Sequence, residues 1–311
     1  MSDADRSTPT VLVLGGAGFI GRHAAAALMT AGSDVVIGTR SPGPMGSREP
    51  PHPRAARAQQ REARLERLTD VRDWLPVIED VDVVLNCVGI LRQRGRETYD
   101  RVHYRAPAAL AEACRERSKR LVHVSALGLD KPARSRFLTS KLAGEKAIQV
   151  AGGNWILARP SLLDGAGGFG AAWLRGIARL PFFLGPIGAT GRIAALDVGE
   201  FGEALARLCL GTPEALRLDV SRIFELGGME SWNFREYIVA LRRTYTDRPA
   251  LCVPIPGFLA RAGAHLCDGL HFSPFSFGHW ELLRRDNAPS TNRLPELLGR
   301  PPLSVMSRNF D

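Results

Sequence analysis

Few backbone arrangements accommodate the run Val11-Leu-Val-Leu-Gly-Gly-Ala-Gly-Phe-Ile-Gly21. Val11 to Leu14 read as a strand buried on both faces, the kind found inside parallel sheets. Gly15, Gly18 and Gly21 follow at G-x-x-G-x-x-G spacing, and Arg22 to Ala31 read as an Ala-rich helix closed by Gly32. Such a turn offers backbone N–H groups, those of Phe19 and Ile20 among them, and the positive end of a helix dipole to a pyrophosphate. Gly15 permits the tight turn, Gly18 a close approach to the phosphates, and Gly21 the packing of helix on strand. A glycine triad alone is weak evidence. With a strand before it and a helix after it, the run reads as a dinucleotide-binding turn rather than a ligand-free one.

Later strand ends point the same way. Val35 to Ile37 form a second short strand that runs into Thr39-Arg40-Ser41. Sites for NAD usually carry Asp or Glu here to hold the ribose 2′-OH. The guanidinium of Arg40 and the hydroxyl of Ser41 suit a 2′-phosphate instead, so NADP(H) is expected over NAD(H). The alternative is Arg40 stacked on adenine. Val81 to Gly89 read as a buried strand whose carboxyl end, Asn86, Val88 and Gly89, should line the cofactor. Arg120 to Ser125 and Asn154 to Arg159 are the next strands, the latter followed by Pro160 and Ser161, two more expected cofactor contacts.

Helices are expected over Arg54 to Arg67, Val71 to Glu79, Thr98 to Glu116 and Arg136 to Val150. Ser41 to Pro53, with five prolines, reads as a mobile loop at the adenine end. Alternation from Thr10 to Pro160 implies an α/β fold, a Rossmann doubly wound parallel sheet with helices on both faces. Beyond Ser161 the rhythm changes. Pro181 to Pro186 read as an apolar loop, and Ser231 as the cap of a helix from Trp232 to about Arg243. Phe258, Ala262, Leu266 and Leu270 form a period-four stripe that reads as core. Contact with a membrane would require that stripe to be exposed beside basic residues such as Arg261. Asp164 and Asp197 are single loop acids with no visible partner, and no role is assigned to them.

Composition narrows the class. Apolar content of 45% and charged content of 23% are those of a soluble globular protein. No apolar run is long enough to span a membrane, and the polar start lacks the apolar stretch of a secretory signal. Five cysteines without a C-x-x-C pair fit reduced, buried thiols in a cytoplasmic protein, with neither disulfides nor a metal site. The net charge is +9, and only four of the 41 basic residues are lysines. That bias fits codon composition; the functional alternative is attraction to an anionic cofactor, a lipid surface or an acidic partner. The arginines are scattered without interleaved aromatics, which argues against nucleic acid.

Gly15-Gly-Ala-Gly-Phe-Ile-Gly21, Val122-His-Val-Ser125, Phe137-x-x-x-Lys141-x-x-Gly144-Glu145 and Arg159-Pro-Ser161 together resemble the atypical or extended short-chain dehydrogenase/reductases, of the NAD(P)-dependent epimerase/dehydratase type. Phe224-Glu-Leu-Gly-Gly228, Trp232-Asn-Phe-Arg-Glu236, Val253-Pro-Ile-Pro256 and Arg285-Asp-Asn287 extend the resemblance to the branch similar to the Rossmann-type accessory subunit of respiratory complex I. The resemblance implies an NAD(P)-binding Rossmann domain over residues 10–165, with return segments near 190–228. It implies also a small discontinuous C-terminal α/β lobe, mainly 166–311, for substrate or partner.

Working enzymes of this family place a Tyr four residues before the Lys. The Lys holds the nicotinamide ribose and lowers the phenol's pKa, so that the phenol exchanges a proton with the substrate oxygen. Here that position is Phe137, which has no exchangeable proton, while Lys141 and Ser125 remain as the catalytic candidates. Tyr104 or His103 are surrogate acids to be tested, and His123 reads as a core residue.

Two functions follow. In the first, the protein binds NADP(H), turns it over slowly or not at all, and stabilises or senses for a respiratory or quinone assembly, peripheral at the inner membrane. In the second, it is an NAD(P)H-dependent oxidoreductase, epimerase or isomerase on a small carbonyl or quinone-like substrate with a different proton donor.

Overall fold

Val11, Leu12, Val13 and Leu14 are fully buried, and a strand with no wet face needs cover on both sides. The computed structural model describes residues 8–43, 52–270 and 275–308. Its chain begins with β1 (Thr10–Leu14), α1 (Phe19–Thr30), β2 (Asp34–Thr39), β3 (Gln60–Glu62), α2 (Val71–Trp74), β4 (Val83–Asn86), α3 (Ala106–Glu116), β5 (Arg120–Val124), α4 (Arg136–Ala151) and β6 (Asn154–Pro160). It continues through β7 (Leu163–Asp164), α5 (Phe169–Arg179), β8 (Phe182–Pro186), β9 (Leu196–Asp197), α6 (Val198–Leu210), β10 (Ile223–Leu226) and α7 (Phe234–Arg243). The last elements are β11 (Leu251–Ile255), α8 (Gly257–Leu270), α9 (Phe277–Leu283) and α10 (Leu294–Leu298).

Seven strands form one parallel sheet in the order β10-β6-β5-β4-β1-β2-β3, an α/β fold of the expected doubly wound kind. The chain builds outward from β1 to β3, then returns to add β4 on the other side of β1. That reversal leaves a crevice beyond the carboxyl ends of β1 and β4. Contacts divide the chain into two units. The first comprises Met1–Ser125, Ala143–Ala158 and Phe201–Phe224, and the second Ala126–Leu142, Arg159–Glu200 and Glu225–Asp311.

In the first unit, side chains from β1, β4 and β5 pack with Trp74, Ile78 and Leu110 in one apolar cluster. Two helices differ from expectation. Arg54 to Arg67 hold only a 3-10 turn, Pro53–Arg57, before β3, whose residues pair with Ile37 to Thr39. The stretch has helical composition, but the open edge of β2 offers hydrogen bonds that outweigh propensity. Arg61 anchors the new strand through Asp80, at 2.7 and 2.8 Å, and the Val77 carbonyl. The helix expected over Thr98 to Glu116 opens as a π-helix, Asp100–Arg105, ahead of α3. Pro107, near the start of α3, has no N–H to continue the tighter ladder. The helix expected over Val71 to Glu79 is cut to one turn followed by 3-10 geometry at Pro76. Residues 44–51 of the expected mobile loop lie outside the described residues.

In the second unit, Pro181 to Pro186 are not a loop but include β8, paired in parallel with β11, Leu251 opposite Phe182 and Val253 opposite Leu184. Asn233 rather than Ser231 caps α7, in a reciprocal pair with Glu236. The stripe read as core turns outward: Phe258 is 71% exposed, and Ala262 and Leu266 are exposed with it. The buried face of α8 is the small one, Ala260 and Ala264, against Trp280. Periodicity alone reports an amphipathic helix and does not say which of two apolar-looking faces is covered.

Gly144 is set by packing within the first unit. A Cβ there would stand 1.9 Å from the His103 carbonyl oxygen. Gly144→Ala is therefore expected to destabilise the protein by about 2–3 kcal/mol, as overpacking against backbone does. Equilibrium denaturation checks this, and unchanged stability would show that the helix shifts freely.

Candidate functional site

The glycine turn has the geometry a pyrophosphate requires. Gly15 has φ +72°, a conformation costly for any residue with a Cβ. Its N–H donates to the Gly38 carbonyl at 2.9 Å, tying the turn to the end of β2. A Cβ on Gly21 would lie 2.2 Å from the Gly15 carbonyl oxygen. Gly18 is the N-cap of α1 with no side-chain cap, and no acidic residue occupies the first turn. The first N–H groups of α1, with those of Phe19 and Ile20 among them, thus face outward at the positive end of the dipole. The cradle fits a dinucleotide: it is made of backbone donors, and side chains would fill it.

Beside it, the end of β4 is polar and fixed. Asn86 is fully buried; its Oδ1 accepts from the Val88 N–H at 3.0 Å and its amide nitrogen lies 3.1 Å from His123 Nδ1. Val88 approaches Gly15, its Cγ2 3.1 Å from where a Cβ would stand, and Gly89 is exposed. His123 is therefore a hydrogen-bonded strand residue. His103 is buried too, and its Nε2 accepts from the Ile90 N–H at 3.1 Å, so it orders the loop after β4. Tyr99 stacks on His103 and donates to the Leu91 carbonyl, while Tyr104 is exposed.

Arg40 is exposed at the end of β2 and ion-paired with Glu97; Ser41 follows it, also exposed. Ser125 is 5% exposed and its Oγ has no hydrogen-bond partner among the described residues. A buried hydroxyl of that kind is a vacant donor and acceptor. Burial pushes the thiols of Cys114 and Cys209 up to about 12, so neither serves as a nucleophile.

In the second unit, Pro160 gives its carbonyl to the Leu127 N–H, and the hydroxyl of Ser161 donates to the Asn287 carbonyl and accepts from the Ala194 N–H. Phe137 and Lys141 share a face of α4, with the ammonium 6.0 Å from the ring centroid. Phe137 stacks on His279 at 6.0 Å, and His279 Nδ1 lies 2.7 Å from the hydroxyl of Ser276, the cap of α9. His279 also lines a cavity of about 740 Å³. Its walls come from α5, β8, α7, β11, α8 and α9, and include Trp173, Leu174, Phe183, Phe234 and Phe275. Among the described residues no Asp, Glu, Lys or Arg lines it. The polar groups at its wall are His279, Asn287, Tyr237 and Cys267.

Tyr237 is not a spare acid. Its hydroxyl donates to Asp164 at 3.0 Å, and burial together with that carboxylate holds its pKa well above the ordinary phenol value. Asp164, given no role from the sequence, is 1% exposed and pairs with Arg175, with Arg308 3.9 Å away. Asp197 caps α6 by accepting from Gly199 and Glu200 N–H groups. Sequence reading missed the cavity, His279 and the Asp164 cluster. For His279 the one available signal was Ser276 three residues ahead, an N-cap spacing.

The profile described as "NAD dependent epimerase/dehydratase family" matches residues 11–169. A ceramide reductase of Caulobacter vibrioides is 27% identical over 293 residues, 92% of this chain and 88% of that protein. Among solved structures, the UDP-glucuronic acid 4-epimerase of Bacillus cereus, in complex with UDP-glucuronic acid and NAD, superposes with TM-score 0.65 at 16% identity over 96% of this chain and 95% of its own. The ADP-L-glycero-D-manno-heptose-6-epimerase of Helicobacter pylori gives 0.67 at 13% identity, over 98% and 95%. At such identities the likeness is one of fold.

Asp164→Asn would leave the Arg175 guanidinium buried without its counter-charge. The expected loss is about 3–5 kcal/mol, whereas Tyr237→Phe, which keeps the ion pair, should cost about 1 kcal/mol. Denaturation midpoints of the two variants check the order, and equal losses would reject it.

Proposed function

The chain belongs to the NAD dependent epimerase/dehydratase family, and from that premise we propose that it is a nicotinamide dinucleotide-dependent reductase of a carbonyl carried on a long apolar molecule. The observation that carries this is the cavity of about 740 Å³, whose walls hold no charged side chain among the described residues. A sugar nucleotide brings a diphosphate, and this lining offers nothing to balance it. An acyl or alkyl chain matches it. The name of the Caulobacter relative, ceramide reductase, supports the same class.

Bound at the glycine turn, the dinucleotide would supply the hydride; the chain supplies position and the proton. Lys141, by the resemblance, would be the ribose contact. Phe137 leaves the carbonyl oxygen without a phenol, and His279, stacked on that ring and lining the cavity, takes the donor's role. An imidazole exchanges protons at neutral pH. Ser276 engages Nδ1 and so fixes the ring. The preferred cofactor is NADP(H). Arg40 already holds an anion, Glu97, in an exposed pair of small net worth, so a 2′-phosphate can displace it.

A second reading keeps Phe137 as the deciding residue: a dinucleotide-binding stabilising or sensing protein tied to a respiratory or quinone assembly. Under it, the cofactor raises the melting temperature and no carbonyl is reduced.

NADPH oxidation across long-chain ketones, short-chain carbonyls and sugar nucleotides decides between them. Turnover is expected with the long-chain compounds only. His279→Gln should lower kcat by about 10²-fold or more with little change in KM; an unaltered kcat removes His279 as donor. Arg40→Ala should weaken NADPH binding about tenfold or more relative to NADH, since hydrogen bonds to charged groups are worth about 1.5–3 kcal/mol. Glu97→Gln should tighten NADPH binding. Equal effects on both cofactors would reject the assignment of Arg40.

A further inference from the structure

The second unit carries apolar side chains on its outside as well as within. In the β8–β11 ribbon the register sets Phe182 opposite Leu251 and Leu184 opposite Val253. All four are exposed, Leu251 at 68%, while Phe183 between them is buried. One face of the ribbon is thus an apolar surface without cover. Phe258, Leu259 and Leu266 extend the exposed set along α8. Such an accumulation is far from the scattered single residues normal on a protein surface.

Two features identify what covers it. The first is continuity with the cavity. Leu180, Phe182, Leu184 and Leu259 are exposed and line the cavity as well, so they form its rim. The mouth of an apolar cavity therefore opens through an apolar surface. The second is charge. From Gly165 to Leu196 and from Arg248 to Cys267 there is no Asp or Glu. Arg179, Arg248 and Arg261 stand exposed in or beside these segments, and Arg261 lies over the Phe277 ring. Exposed apolar side chains with arginines in the same segments are what an anionic lipid surface selects. No helix among the described residues is long and apolar enough to cross a membrane, so contact would be from one side.

We propose that this face docks on an anionic lipid bilayer, with the cavity mouth against the membrane. An occupant of this kind covers the ribbon and α8, and the same phase supplies an apolar ligand to the cavity. The docking uses the ligand class proposed above but none of its chemistry.

Flotation of the full chain with vesicles tests it. Binding is expected to vesicles of phosphatidylglycerol and phosphatidylcholine, to fall at least tenfold with phosphatidylcholine alone, and to weaken in high salt. The double variant Leu251→Ser/Phe258→Ser alters neither the cavity lining nor the cofactor turn. It should lose at least tenfold in vesicle binding at unchanged melting temperature. Arg179→Gln/Arg261→Gln should lose the preference for the anionic lipid. No binding by the intact chain overturns the proposal, as does binding that the Ser variant retains. A dimer in solution that the Ser variant dissolves, without vesicle binding, assigns the face to a second copy and also overturns it. The reductase reading is judged separately, by turnover of substrate in detergent micelles. Turnover by an intact chain that binds no vesicles fails the docking alone, and vesicle binding by an intact chain that turns over no substrate fails the reductase reading alone.

Discussion

The carbonyl oxygen of Gly15 stands where a side chain at residue 21 would have to be, 2.2 Å from that Cβ position. That contact seats α1 against the end of β1 and aims its uncapped N–H groups outward. Moving the helix away to admit a side chain would dissolve both the seat and the donors. Much of the first unit follows from it. Gly15 is tied to Gly38 and so to β2, and Val88 closes on Gly15 from β4. The crevice between β1 and β4 is thereby walled by backbone, which the buried amide of Asn86 holds from behind, a surface suited to phosphate and ribose rather than to an apolar ligand.

What the sequence made legible was what burial on both faces writes into it. Val11 to Leu14 and Val83 to Leu85 are continuous apolar runs, Leu121 to Val124 is one but for His123, and each lies in a strand of the parallel sheet. The strand β3 carries no such signature. Gln60, Arg61 and Glu62 sit at an edge, where pairing to β2 and the Arg61–Asp80 contact supply what side-chain burial does not. The ribbon of β8 and β11 was unreadable for the opposite reason. Its residues are apolar on both faces, because Phe183 is buried in the core while Phe182 and Leu184 stand exposed at the cavity rim, so alternation vanishes and the run reads as a loop. On α8 the periodicity was real, but the larger side chains mark the exposed face and the small alanines the buried one.

The polar contacts show the same division. Asp164 looked isolated because its partners, Arg175, Tyr237 and Arg308, are 11 to 144 positions away along the chain and meet only through the packing of α5, α7 and the C-terminal segment. Ser125 and Lys141 could be named because they belong to local patterns around a strand end and a helix. His279 belongs to none. Its relation to Phe137 exists only once α9 stacks on α4, through two rings whose separation in sequence is 142 residues.

Within the second unit, selectivity must arise differently from that at the glycine turn. A wall of Leu, Ile, Phe and Trp without charge distinguishes ligands mainly by volume, at about 1–3 kcal/mol for each methylene gained or lost. Such a wall measures length and bulk well and orientation poorly, because hydrophobic contact has no direction. Direction has to come from the few polar atoms at the lining. Tyr237 is spent on Asp164. His279 is held by Ser276, and the Oδ1 of Asn287 is buried with no hydrogen-bond partner among the described residues. An acceptor left so is costly until a donor reaches it. A ligand with one polar group on an otherwise apolar body would satisfy both demands at once: its chain would fill the wall, and its polar group would meet one of the few polar atoms of the lining.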